Sequence, residues 1–197
     1  MIKSLYKIFQ HWSQSGSVWI ISDTHFADDD CKHMDADWIS PEDQINNING
    51  MVFKGDYLIH LGDVGRPEWV EKIKCQNRVL ITGNHDKLSE YDGLFKEVYN
   101  GPLVIADRIL LSHEPIYGLP FFLNIHGHDH SGRFRDDDTH MNVAVNVCGY
   151  KPINLGKIIK DGALSKIESI HRMTIDRASL RRGLRADLEN LIRGINE

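Results

Sequence analysis

Clusters of histidine, aspartate and asparagine follow short apolar runs throughout this 197-residue chain. Such side chains bind metal ions and transfer protons, and the total of 11 histidines is high for the length. In LITGNHDK, residues 80–87, an apolar run and Gly83 are followed at once by Asn84, His85 and Asp86. One cluster of this kind would be typical of a surface turn. Several occur, however, and they contain these candidates: Asp23, His25, Asp63, Asn84, His85, His113, His126, His128 and His130.

The residue types in these clusters predict a site for two divalent metal ions. Two ions about 3.5–4 Å apart need a ligand that touches both, and a carboxylate can do so because it has two oxygens. Mixed imidazole and oxygen donors suit Mn, Fe or Zn better than Ca. Asp23 and His25 are two residues apart, as are His128 and His130, so in an extended chain the members of each pair would face one ion together.

Strands must position these residues, and the first half of the chain predicts alternating strands and helices. The strand-like runs are SVWIISDTH, DYLIHLGD and RVLITGNHD. Ser40 and Pro41 predict a helix start between the first two runs, and RPEWVEKIKC predicts a helix between the last two. This order is typical of βαβ units on a parallel sheet, whose ligands bind beyond the carboxyl ends of the strands.

The second half predicts a second, more mixed sheet. GPLVIADRILLSHEP, FFLNIHGHDH and NVAVNVCGYKP are strand-like with little helix between them, and a hairpin is expected after Ala106. INLGKIIKDG is interpreted as a short helix or a last strand. The acidic runs 28–30 and 136–138 are interpreted as solvated loops that could also gather cations.

Both ends of the chain predict helices, which we expect to pack on the body. The N-terminal candidates for a buried helical face are Ile2, Leu5, Tyr6, Phe9 and Trp12. From Ser165 on, arginines occupy one helical face, and the apolar residues assigned to the other are Ile175, Leu180, Leu184, Leu188 and Leu191.

Length and composition predict a single globular domain over residues 1–197, with a core of about 18–160 between terminal extensions. Apolar residues make up 41% and charged residues 26% of the chain, and no run approaches the roughly 18 apolar residues of a membrane span. The net charge of −5 argues against a protein that binds nucleic acid over its whole surface. Cys31, Cys75 and Cys148 are few and widely spaced, which favours structural thiols and a cytoplasmic location.

The motifs SDTH, LGDV, TGNHD, LSHEP and HGHDH, in this order, resemble those of the calcineurin-like metallophosphoesterases, which have binuclear metal centres. NVCGYKPINL also resembles the closing segment of compact bacterial and phage members. The resemblance implies an α/β fold, a four-layer αββα sandwich of two mixed sheets flanked by helices. It further implies the metal ligands: Asp23, His25 and His130 for the first ion, Asn84, His113 and His128 for the second, and Asp63 as the bridge. His85 would then protonate or stabilise the leaving oxygen.

The sequence departs from the family pattern after Asp63. Many members continue GDxxDRG, whereas this chain has GDVGRPE, so Arg66 stands where the second aspartate would orient the catalytic histidine. Arg66, like Asn84, could contact a substrate phosphate, or it could be a surface arginine. Asp86 either holds the tautomer of His85 or is a salt-bridged surface residue. His60 is interpreted as a packed strand histidine, and His126 as a neighbour of the metal ligands.

The implied function is hydrolysis of phosphate mono- or diesters by a hydroxide shared between two divalent ions. Mn is the expected metal, with Fe, Zn, Ni or Mg as alternatives. The expected substrate is a small phosphate ester, nucleotides included, with no membrane partner; a homo-oligomer could use residues 1–16 and 165–197. One alternative is a nuclease whose arginine-bearing C-terminal helix binds nucleic-acid phosphates, although acidic residues on the same helix offset part of its positive charge. The other is a catalytically silent scaffold, which would not need His85 or a complete ligand set.

Overall fold

The computed structural model describes residues 7–14, 16–106, 108–135 and 137–195. Within them, the strands are β1 (Val18–Ile21), β2 (Tyr57–His60), β3 (Asn77–Ile81), β4 (Glu97–Tyr99), β5 (Leu103–Ala106), β6 (Ile109–Leu111), β7 (Leu123–His126), β8 (His140–Asn142) and β9 (Ile153–Asn154). The helices are α1 (Lys7–Trp12), α2 (Cys31–Met34), α3 (Pro41–Met51), α4 (Pro67–Val70), α5 (Leu155–Lys160) and α6 (Ile170–Ile195), and a 3₁₀ turn covers Leu88–Glu90.

The strands form two mixed sheets. The first has the order β4-β3-β2-β1-β9, in which β1 to β4 run parallel and β9 pairs antiparallel with β1. The second has the order β5-β6-β7-β8, with one antiparallel pair, β5 and β6, and two parallel pairs. This arrangement confirms the expected α/β sandwich of two mixed sheets with helices.

Alternation along the strands of the first sheet fills two separate cores. Ile20 and Ile59 share one apolar cluster with residues of the second sheet, such as Leu111 and Ile125. Their neighbours along the strands, Ile21 and Leu58 among them, face the other way, into a cluster with residues of α3 and α4. Because successive strand side chains point to opposite faces, short all-apolar strands can bury both sides of the sheet.

The predicted start of α3 is confirmed, and α4 is shorter than expected. The Ser40 hydroxyl accepts a hydrogen bond from the backbone N–H of Asp43 at 3.1 Å, and Pro41 occupies the first helical position. The helix predicted in RPEWVEKIKC is the single turn of α4, because the chain enters turns after Val70.

The hairpin expected after Ala106 is confirmed as the antiparallel pair β5 and β6. The strand expected in NVAVNVCGYKP is reduced to Asn142, the last residue of β8; the segment then makes one isolated bridge, between Ser22 and Ala144, and turns from Val145 on. The backbone folds back on itself here, because Cys148 N–H donates to Ala144 O at 3.1 Å and Tyr150 N–H donates to Val145 O at 2.6 Å; Gly149 and Tyr150 in this turn both have positive φ. INLGKIIKDG contains both predicted elements, β9 and then α5, which the Asn154 side chain caps by accepting from the N–H of Lys157.

The two terminal helices differ in how they pack. Phe9 and Trp12 of α1 are buried against the body, as expected, whereas Ile2, Leu5 and Tyr6 lie outside the described residues. The expectation that the C-terminal helix packs on the body is wrong, because the side chains of α6 are exposed from Thr174 to Glu189. Leu191 lies outside the described side chains. Among the described residues, none of the helices is long and apolar enough to cross a membrane.

Candidate metal centre

The candidate residues lie in the loops that directly follow five strands and therefore meet at one edge of the sandwich. Asp23 and His25 follow β1, Asp63 follows β2, and Asn84 and His85 follow β3. In the second sheet, His113 follows β6, and His128 and His130 follow β7. Parallel strands end at a common edge, so residues far apart in sequence converge there.

The first group of donor atoms belongs to Asp23, His25 and His130, whose ligand atoms all lie within 4.8 Å of one another. Asp23 Oδ1 and His130 Nε2 are 3.7 Å apart. Asp23 Oδ1 and His25 Nε2 are buried and have no hydrogen-bond partner among the described residues. Buried polar atoms are nearly always paired, so this pair of atoms fits a bound cation that both would coordinate.

Neighbouring side chains fix the orientation of both histidines in this first group. His25 Nδ1 is 3.2 Å from Asp28 Oδ2, and His130 Nδ1 is 3.1 Å from Asn146 Oδ1. The Asn146 amide also donates to the backbone carbonyl of His130 at 2.8 Å. With Nδ1–H donated to an oxygen, the lone pair of each Nε2 points into the group.

Burial shifts the pKa values of Asp23 and His25 in this first group. Desolvation raises the pKa of the Asp23 carboxyl and lowers the pKa of the His25 imidazole, although the opposite charges nearby partly offset both effects. Neutral imidazole is the form that coordinates a metal, and a cation would in turn stabilise the buried carboxylate.

The second group of donor atoms belongs to Asp63, His113 and His128, again all within 4.8 Å. His113 Nε2 lies 2.8 Å from Asn84 Oδ1, 3.1 Å from His128 Nδ1 and 3.3 Å from Asp63 Oδ2. Ligands held at about 2.1 Å from one ion are separated by roughly 3.0–3.4 Å when the bond angles are those of octahedral or tetrahedral sites. The spacing of the four atoms therefore fits one ion.

His113 is oriented through its other nitrogen, because Nδ1–H donates to the carbonyl of Leu61 at 2.9 Å. Burial lowers the pKa of His113, but the carboxylates of Asp63 and Asp23 outweigh this effect and raise it. Burial also works against ionisation of Asp63, yet His113 and the N–H of His85 bring the pKa of its carboxyl down to about 2. Asp63 is therefore ionised at neutral pH.

Asp63 lies between the two groups. Its Oδ2 is 3.7 Å from His25 Nε2 in the first group and 3.3 Å from His113 Nε2 in the second. Its Oδ1 accepts a hydrogen bond from the backbone N–H of His85 at 2.9 Å, which holds the carboxylate in place. In the described part of the chain, Asp63 is the only carboxylate of one group that lies within 4 Å of an imidazole nitrogen of the other; Asp23 contacts the second group only through the backbone N–H of His128.

Four candidate ligands have a left-handed backbone: Asp23 (φ 57°), His25 (39°), Asp63 (54°) and His128 (67°). Non-glycine residues rarely adopt this conformation, and it clusters at functional sites. It also corrects the spacing argument, because these loops are not extended. Consequently, His128 and His130 face different groups rather than one ion.

Two glycines allow the loops to approach the carboxylates. A Cβ on Gly127 would lie 2.0 Å from Asp23 Oδ2, and a Cβ on Gly83 would lie 2.3 Å from Asp63 Oδ1. Gly127, which precedes His128, and Gly83, which precedes Asn84, therefore have no room for a larger side chain.

Asp86 plays neither of the two roles predicted for it. Its Oδ2 accepts from the backbone N–H groups of Gly83 (2.8 Å) and Asp63 (2.9 Å), and its Oδ1 accepts from Val64 N–H (3.0 Å). It therefore ties the loop after β3 to the loop after β2. In the described part of the chain, no carboxylate hydrogen-bonds to the His85 ring.

His60 is buried beneath the site and is a packed histidine, as interpreted from the sequence. Gly62 N–H donates to its Nδ1 at 3.2 Å, so its Nε2–H donates to the Thr24 hydroxyl at 2.9 Å, which donates in turn to Val64 O. Desolvation lowers the pKa of His60 to about 4, and the ring is neutral at physiological pH. His126 belongs to neither donor group, and its Nδ1–H donates to Gly127 O at 2.8 Å.

A groove of about 310 Å³ opens beside the first group. His85 and Arg66 line it together with His25, and both are exposed. The His85 ring centroid is 5.9 Å from that of His25. Asp28 and Glu90 add negative charge to its wall.

Residues 17–158 match the model of the calcineurin-like phosphoesterase superfamily domain, so the chain belongs to this family. Its members generally bind divalent metals, which agrees with the two donor groups. An uncharacterised protein of Methanocaldococcus jannaschii is 29% identical over 167 residues, covering 73% of this chain and 89% of that protein.

The similarity extends to solved structures. A protein of unknown function from Aquifex aeolicus aligns with a TM-score of 0.60 and 24% identity over 73% of this chain and 98% of its own, which shows a common fold. A nuclease of Pseudomonas putida aligns with a TM-score of 0.42 and 23% identity over 56% of this chain and 60% of its own, a likeness too partial to bear on activity.

Proposed function

We propose that this protein hydrolyses small phosphate esters at a centre of two divalent metal ions. The observation that carries the proposal is the position of Asp63 Oδ2, 3.7 Å from a histidine of one donor group and 3.3 Å from a histidine of the other. Two such groups joined by one carboxylate suit a pair of ions about 3.5–4 Å apart.

The donor sets divide between the two ions. Asp23, His25 and His130 would hold the first, Asn84, His113 and His128 the second, and Asp63 both. When bound, two such ions lower the pKa of a shared water toward neutrality and polarise the phosphoryl oxygens. The mixed imidazole and oxygen donors suit Mn, Fe or Zn, and of these we propose Mn.

His85 would act on the leaving group. It is exposed, lies outside both donor groups and lines the groove beside the first of them. Its backbone N–H is fixed by Asp63 Oδ1, while its ring is free to approach the ester oxygen and give it a proton. Arg66 opens into the same groove, where its guanidinium can pair with the phosphate oxygens that do not react.

The groove favours a small ester over a polynucleotide. Its volume of about 310 Å³ is that of a small-molecule site. Asp28, Asp29 and Glu90 lie on its wall beside Arg66, and carboxylates would repel a chain of phosphates. Nucleotides with a single reacting phosphate remain within the proposed class.

The test uses p-nitrophenyl phosphate and bis-p-nitrophenyl phosphate with added Mn²⁺. Hydrolysis of either substrate supports the proposal, and the preferred substrate identifies a monoesterase or a diesterase. The absence of hydrolysis with both, under conditions where the protein binds metal, would indicate a scaffold instead.

Two variants separate binding from catalysis. His85→Ala is expected to keep two metal ions per chain and to lose roughly 100-fold or more in kcat, since general acid catalysis contributes about 10²–10⁴-fold. Asp63→Asn should weaken both ions. If His85→Ala loses metal in proportion to activity, or if Asp63→Asn keeps two ions at full affinity, the assignment of these residues is wrong.

A further inference from the structure

Helix α6 (Ile170–Ile195) presents an uncovered apolar stripe. Leu180, Leu184 and Leu188 are spaced four residues apart, and they are 65%, 61% and 57% exposed. With 26 residues, the helix extends for about 39 Å. Monomeric proteins rarely leave such a stripe in water, and an isolated helix is marginally stable without tertiary contacts.

We propose that a second copy of this chain covers the stripe, and that the two α6 helices form an antiparallel coiled coil. We assign heptad positions so that Leu184 occupies a first position and Leu180 a fourth position, the two positions that form the contact seam; Leu188 then occupies a fifth position, which flanks the seam. From Ile170 to Glu189, the seam residues are Ile170, Met173, Arg177, Leu180, Leu184 and Asp187.

The two charged seam residues select the antiparallel direction. In an antiparallel pair, each first position faces a fourth position of the partner. If Leu184 faces the partner's Leu180, then Arg177 faces the partner's Asp187, and the symmetry of the dimer repeats both contacts. A parallel pair would instead place Arg177 opposite the partner's Arg177, with like charges in the seam.

Arg177 and Asp187 are available for this contact. Both are exposed, and neither makes an ion pair or hydrogen bond with another side chain in the described part of the helix. By contrast, Arg185 already pairs with Glu189 within α6 at 3.1 Å, on a face outside the seam. Both charges in the seam are therefore without an internal partner among the described side chains.

The register also fits the extent of the helix. Facing residues are equidistant from position 182, and α6 has its midpoint between residues 182 and 183. The helices therefore overlap along their whole length. The two copies of Ile170, where the helices leave the bodies, would be about 36 Å apart along the axis, so the bodies would not collide.

The experiment measures self-association of the full chain by sedimentation velocity over a series of protein concentrations. Arg177→Asp and Asp187→Arg, each alone, place like charges in two layers and should weaken dimerisation by about tenfold or more. The double variant, R177D with D187R, restores opposite charges and should dimerise as the wild type does. Ile175→Gln is the matched control: although the sequence pattern grouped Ile175 with the leucines, it lies nine residues from Leu184 and thus on the opposite side of the helix from the seam, so the change should not affect association.

Several results would overturn the proposal. One is a wild-type chain that stays monomeric at every concentration. Another is a double variant no better than the single ones, which would exclude the antiparallel register; single variants without effect would point to a parallel pair or another surface. Circular dichroism verifies that each variant keeps its helix content. Since no substrate is involved, these outcomes are independent of the proposed phosphoesterase activity.

Discussion

Replacement of Asp86 tests whether this carboxylate organises the metal loops or serves His85. Three backbone N–H groups, those of Gly83, Asp63 and Val64, donate to it at 2.8–3.0 Å. Asparagine keeps one oxygen, which can still accept from Gly83 and Asp63, but its NH₂ group would face the N–H of Val64. We therefore expect Asp86→Asn to lower the free energy of unfolding by about 1–2 kcal/mol and Asp86→Ala by about 3 kcal/mol.

The same loss should appear in metal affinity, because the loop that Asp86 holds carries Asp63. At about 1.4 kcal/mol per factor of ten, 1–3 kcal/mol corresponds to roughly 5- to 140-fold weaker binding. Urea unfolding of the metal-free protein gives the first quantity, and calorimetric titration with Mn²⁺ gives the second. Asp92→Asn is the control, since Asp92 is exposed and hydrogen-bonds to no described residue. If Asp86→Asn left both quantities unchanged and shifted only the pH profile of kcat, Asp86 would serve His85 and our interpretation would be wrong.

Three further predictions concern packing, protonation and substrate contact. Gly127→Ala should abolish tight metal binding, because the new Cβ would overlap Asp23 Oδ2. Gly50→Ala is the contrasting variant: Gly50 lies on α3 with open space around it, so the change should stabilise the fold by about 0.5–1 kcal/mol in thermal unfolding. The pKa of His60 is about 6.5 in the unfolded chain but about 4 in the folded protein, so the metal-free protein should lose stability as the pH falls from 6.5 to 4. In His60→Asn that loss should be smaller by roughly 3 kcal/mol. If the free energy of unfolding falls equally with pH in both proteins, the lowered pKa of His60 is refuted. Arg66→Ala should raise KM by about tenfold with a smaller change in kcat, and an unchanged KM would show that Arg66 is only a surface residue.

The strand ends could be predicted from sequence because the relevant signals are local. Short apolar runs, each closed by a polar cluster, predicted β1, β2 and β3, and parallel strands necessarily bring their carboxyl ends together. The division of ligands between two donor groups followed from the family resemblance. Residue spacing alone placed His128 and His130 on one ion, whereas the structure places them in different groups.

The residues that support the site could not be predicted, because tertiary contacts define their roles. Asp28 lies in an acidic run typical of a solvated loop, yet it orients His25. Asn146 lies in a segment predicted as a strand, yet it orients His130. For Asp28, the only sequence signal was its spacing of three residues from a candidate ligand. The amphipathic pattern of α6 likewise predicted a helix with an apolar face but did not specify what covers that face.

The geometry of the site explains why so many supporting contacts surround it. Each left-handed non-glycine residue costs of order 1–3 kcal/mol, and four candidate ligands are in this conformation. Hydrogen bonds between the loops that carry the ligands hold them in place. Asp86 joins the loops after β3 and β2, and the Thr24 hydroxyl joins the loop after β1 to Val64 O in the loop after β2 and to His60 at the end of β2. Asp23 Oδ2 accepts from the N–H of His128 after β7. Because each loop is held by its neighbour, the strain is distributed over the whole edge, and the donor atoms are positioned before any ion binds. Loosening one loop should therefore disturb both donor groups rather than one.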